Sequence, residues 1–148
     1  MFADNGANKT LSFLDCGLPS TCYRDDIPQV ATTLLAHLAD ESPDLIVLEM
    51  GDGLLGEYGV EAVLENAALS GAVSGVVLAA NDTVGAIAAA ERLAGVGLQV
   101  RVVVGPATDS AVGATSLARV GLDSANVLLE AQRVCALATA GMVPEDTR

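Results

Sequence analysis

Hydrophobic and polar positions alternate between two patterns along the chain. Continuous apolar runs at "LSFLD" (11–15), "DLIVLEM" (44–50), "GVVLAA" (75–80) and "QVRVVVG" (99–105) read as short strands, and the last three are apolar enough to be buried on both faces. Between them the apolar positions recur at helical spacing. "IPQVATTLLAHLADES" (27–42) puts Ile27, Val30, Ala31, Leu34, Leu35 and Leu38 on one stripe. Asp25 or Asp26 can cap its start, and Pro28 suits a first turn. "YGVEAVLENAAL" (58–69), "NDTVGAIAAAERLAGVG" (81–97) and "TDSAVGATSLARVG" (108–121) also read as helices. "SANVLLEAQRVCALATAG" (124–141) reads as a helix, with a short strand in its first residues as the alternative.

Strand–helix alternation with continuous apolar strands predicts an α/β fold: three layers, with a mostly parallel sheet of four to five strands flanked by helices. Right-handed crossovers follow. The expected organisation is a polar segment at 1–10, a single domain at 11–141 and a polar tail at 142–148. In a parallel sheet the loops after the strands share one edge, where open α/β folds bind ligands. Four such loops carry polar residues. They hold Asp15, Cys16 and Gly17; Glu49, Gly51, Asp52 and Gly53; Asn81, Asp82 and Thr83; and Gly105, Pro106, Thr108, Asp109 and Ser110. Carboxylates and hydroxyls without lysines suit a hydrated Mg²⁺ or a small polar substrate, and glycines let backbone approach a ligand or adopt positive φ. Asp82, Asp109 and Ser110 serve equally well as helix caps. Glu49 is the harder residue to explain structurally, because Glu is disfavoured in strands and costly if buried unpaired.

Charge narrows the partners. Nineteen acids against seven bases leave a net charge of −12, with Lys9 the single lysine. Nucleic acid and anionic membrane surfaces need clustered Lys and Arg, so neither is expected as a partner. The chain is 51% hydrophobic, yet no apolar run approaches the roughly 20 residues of a membrane span. Three cysteines without paired spacing fit a reducing cytoplasm, with buried thiols as the default. His37, beside the apolar stripe of its helix, reads as a packing or surface histidine, and no Ser-His-Asp or Cys-His pairing follows from it.

Phosphate-binding motifs are not evident. "GANKT" (6–10) lacks the glycine before its lysine and precedes a strand-like run rather than a helix. "GDGLLG" (51–56) has the spacing of a dinucleotide fingerprint, but Asp52 and Glu57 would set negative charge against a pyrophosphate.

"DLIVLEMGDG" resembles the apolar strand ending in Glu-Gly-x-Gly-Gly of the dethiobiotin synthetase-like P-loop proteins. "SFLDCG" resembles their switch-type Asp at a strand end. "GVVLAANDTVGAIAAAERLAGVGLQVRVVVG" is similar to their next strand–helix–strand. The resemblance spans about residues 11–121 and is to the later part of such a protein, without the P-loop strand and helix. Met50 follows Glu49 where the family has glycine, and Gly105-Pro106 stand where an adenine-reading Asn is often found. The resemblance implies Mg²⁺ and ATP as cofactors, Asp15 and Glu49 as the acids near the metal, and Gly51, Asp52, Gly53, Asn81, Thr108 and Asp109 as cofactor-binding positions. It implies an ATP-dependent ligase-like enzyme part that contributes the acidic strand-end edge. The missing unit would be supplied by a partner chain or covered in a homo-oligomer. The other expectation is a non-catalytic α/β binding or assembly module that has lost nucleotide binding.

Overall fold

A computed structural model describes residues 2–142, so 143–148, the greater part of the polar tail, lie outside the described residues. The chain mixes helix with a parallel strand pair, in two compact units, Met1–Leu69 and Ser70–Arg148.

The second unit holds the sheet. β1 (Val76–Ala79) pairs in parallel with β2 (Val100–Val104), Leu78 opposite Val103 and Ala79 opposite Val104. The runs expected at 75–80 and 99–105 are therefore strands. Ser124 makes a single isolated parallel bridge to Val103, so the start of 124–141, read as helix or a short strand, is extended there without forming a strand. Among the described residues the ladder is two-stranded, not four- to five-stranded. The crossover is the first helix of this unit, Thr83–Gly95, whose fully buried Ala86 and nearly buried Leu93 lie seven residues apart on one face. It packs on both strands, and the helix Ala111–Arg119 packs on it. On β2, Val102 and Val104 pack with Ala125 and with Val134, Leu137 and Ala138 of the last helix, Ala131–Ala138. Val103 points to the other face and is fully buried too.

Arg101, also on β2, donates from Nη2 to the Ser74 carbonyl at 3.1 Å, while its Nε is buried without a partner. A Cβ at Gly75 would fall 2.5 Å from the Arg101 Cγ.

The first unit is helical. Its main helix, Ile27–Ala39, carries Pro28 in its first turn as expected. Asp26 occupies the cap position but makes no capping bond. Its carboxylate instead takes Arg24 in a fork at 2.8 and 2.6 Å, and that pairing holds the Asp26 carboxyl below its ordinary pKa. Helix 58–69 is broken in two, Val60–Glu65 and Ala67–Ser70, because Asn66 turns extended. The Asn66 side chain then accepts from the amides of Ala68 and Leu69. Ile27, Ala31, Val63 and Leu69 form this unit's core, with Leu18, Leu35 and Met50 packed against it.

Both strands expected in this unit take other forms. Residues 11–15 contribute to a 3₁₀ turn at Phe13–Cys16. The Ser12 hydroxyl accepts from the Leu14 amide, Asp15 accepts from the Ser12 amide at 2.7 Å, and Gly17 closes the turn at φ 75°. Such side-chain bonds offer the backbone an alternative to a ladder. Residues 44–50 form no regular element, because no neighbouring strand takes up their backbone bonds among the described residues.

Gly105 stands at φ 88°, ψ −170°, a region open essentially to glycine, and a Cβ there would meet the Ala80 carbonyl oxygen at 2.9 Å. Gly105→Ala should therefore lower stability by about 1–3 kcal/mol, read as a reduced urea midpoint with an unchanged slope.

Candidate functional site

In the second unit the two strand ends are tied together. The Ala80 amide donates to the Val104 carbonyl and the Ala107 amide donates to the Ala80 carbonyl, both at 3.0 Å. The loops 80–82 and 105–110 therefore share one edge, as expected of a parallel pair, and bring Asn81, Asp82, Thr108 and Asp109 into one neighbourhood. Asn81 is exposed. Asp82 caps the crossover helix, its Oδ1 accepting from the Gly85 amide at 2.8 Å. Ser110 caps the next helix through the Gly113 amide at 3.1 Å. Thr108 is buried, and its hydroxyl donates to the Gly105 carbonyl at 2.8 Å, with the Ala125 carbonyl at 3.3 Å as the other acceptor within reach.

Asp109 begins a polar chain that the pattern of residues did not reveal. Its Oδ1 accepts from Asn126 Nδ2 at 3.0 Å, and the Asn126 Oδ1 accepts from the amides of Leu128 and Leu129. The Asn126 amide donates to Glu130 Oε2, and Glu130 Oε1 pairs with Arg133, both at 3.0 Å. The Asn126 amide, and after it Arg133, hold the Glu130 carboxyl below its ordinary pKa. Asn126, Glu130 and Arg133 line an open pocket of about 280 Å³ beside the extended piece at Ser124, with Thr108 and Ala118 also in its wall. The missed signal was an Asn four residues before a Glu, just past the bridging Ser124, which is an Asx turn leading into a helix.

The other expected residues belong to the first unit. Asp15 is exposed and engaged with Ser12, as described above. Glu49 is exposed within 44–50, so the burial that made its charge costly at a strand end is not present. Gly51 and Gly53 have open space around their Cα atoms and neither takes a positive φ. Asp52 is likewise exposed. Among the described residues no group of three or more His, Cys, Asp or Glu side chains is placed to hold a metal ion. Mg²⁺ needs only one or two carboxylates beside its waters, so Asp15 and Glu49 fit it by donor type alone. His37 is exposed, in line with a surface histidine, and its carbonyl accepts from Lys9, which also pairs with Glu41 at 2.8 Å. The thiols differ from the buried default: Cys16 and Cys135 are exposed and Cys22 is half-buried. No helix among the described residues is long and apolar enough to cross a membrane.

Compared with known proteins, the chain matches no family model, no curated protein and no solved structure.

Two outcomes check these assignments. Asp82→Ala should lose about 1 kcal/mol of stability and Asp82→Ser should restore most of it, since Ser caps as well as Asp. For Glu130, a depressed folded pKa stabilises the fold above the ordinary carboxylate range, and that contribution disappears as pH falls through the folded value. The stability gap between wild type and Glu130→Gln should therefore be widest near pH 6 and narrow steadily as pH falls below the ordinary carboxylate range, measured by urea unfolding at each pH.

Proposed function

We propose that this chain is a non-catalytic α/β binding or assembly module that has lost nucleotide binding, and that residues 44–50 are the segment through which it meets another chain. The observation that carries this reading is the state of that segment. Its sequence is strand-forming, yet Leu45, Val47 and Leu48 are 53, 60 and 43% exposed and their backbone lacks a ladder partner among the described residues. An unpaired apolar run of this kind is a template for pairing with another chain. The acids expected at a shared edge support the same reading from the other side. Asp82 is occupied as a helix cap, Asp15 closes a turn and Asp109 anchors Asn126, so each has a structural duty that needs no ligand.

A second reading is favoured by one observation, the shared edge formed by loops 80–82 and 105–110. It is the enzyme-part reading: a contribution of the substrate side to an Mg²⁺- and ATP-dependent ligase-like activity, with Asn81, Thr108 and Asp109 toward the nucleotide. Calorimetry separates the two. The module reading expects no measurable heat when Mg²⁺ and ATP, alone or together, are titrated into the full chain, because no lysine-bearing phosphate loop is present and the net field repels a polyanion. Micromolar binding that is lost in Asn81→Ala would instead establish the second reading.

A further inference from the structure

We infer that the occupant of the 44–50 segment is an extended strand of a different protein, with apolar residues alternating and a basic residue placed against Glu49. This rests on the assembly reading above and names the partner's chemistry.

The segment is held at two positions and open at the rest. Ile46 and Met50 are half-buried, and Met50 packs against the Ile27, Ala31, Val63 and Leu69 core. Leu45, Val47, Leu48 and Glu49 are exposed between and beside these two anchors. An apolar run anchored at two points, with its remaining apolar side chains outward and its backbone unpaired, leaves both for a partner strand to take up.

Charge then selects the partner. Residues 40–57 contain six acids, Asp40, Glu41, Asp44, Glu49, Asp52 and Glu57, and no Lys or Arg. Glu41 is paired with Lys9, while Asp44, Glu49 and Asp52 form no ion pair among the described residues. A second copy is a poor occupant. Parallel, in-register pairing of two such segments sets Glu49 beside Glu49 and Asp44 beside Asp44, and like charges directly opposite are destabilising. Antiparallel pairing centred on Val47 sets Leu45 across from Glu49 twice, an apolar side chain against a carboxylate each time. A strand with Val or Ile across from Leu45 and Val47, and Lys or Arg across from Glu49, removes both conflicts.

The test uses the full chain and two labelled peptides read by fluorescence anisotropy. One is Lys-Arg-Thr-Val-Thr-Val-Thr-Lys, and the other has every Lys and Arg replaced by Glu. The basic peptide should bind, more weakly as salt rises, and the acidic one should not. Glu49→Lys should weaken the basic peptide by roughly tenfold, and Val47→Lys by at least as much. The Glu49→Lys arm decides the matter if Val47→Lys fails to fold. Equal binding of both peptides would overturn the charge selection while leaving the segment a docking site. Concentration-dependent self-association that Val47→Lys abolishes would replace the foreign strand by a second copy, again leaving the assembly reading intact. Amides of 45–50 exchanging as slowly as those of β2 in the isolated chain would show the segment already paired, and both readings would fall.

Discussion

The second unit depends on the junction where two strand ends are stitched by the Ala80 and Ala107 amides. A parallel pair has no tight turn of its own, so its chain must leave one strand, cross a face and return. Here the return is the helix Thr83–Gly95, and the stitch fixes where it starts and where β2 must stop. Gly105 makes the stitch possible, because its backbone passes against the Ala80 carbonyl in a conformation closed to other residues. The loop beyond it then places Thr108 and Asp109 against the 123–126 piece, from which the polar chain through Asn126 and Glu130 follows.

The first unit is held differently. A few aliphatic side chains from three helical stretches share a small core, and local polar bonds fix the connections: Ser12 with Asp15, Arg24 with Asp26, Asn66 with the helix it opens. These bonds lie on the surface and each is individually weak. Their contribution is to choose a conformation for the backbone between helices more than to stabilise the unit as a whole.

That difference explains what could be read in advance. The runs 75–80 and 99–105 and the helices around them carried their own evidence: continuous Val and Leu, Asp82 and Ser110 at helix starts, and glycine at helix ends. All of these signals act within a few residues. The run 44–50 has the same composition, but a strand is completed only by a neighbour distant in sequence, and composition does not supply one. The run 11–15 failed for the opposite reason, since Ser12 and Asp15 satisfy their own backbone and remove the need for a sheet. At the candidate site, the strand-end loops of the second unit were legible because topology alone gathers them. Asn126, Glu130 and Arg133 were hidden inside a stretch that scans as continuous helix, and only the break at 126–130 gives them their positions.

Gly75 and Arg101 show how the chain can and cannot drift over time. The guanidinium stem lies where any side chain at 75 would begin, and its head is tethered to the Ser74 carbonyl beside it. Neither position is free to vary alone. A larger residue at 75 becomes tolerable only after 101 has shortened, and a shortened 101 leaves a gap that favours a larger residue at 75. The effects of the two changes are non-additive, as expected of residues in direct contact. Across descendants of this chain, the two positions should therefore change in step, as one inherited pair.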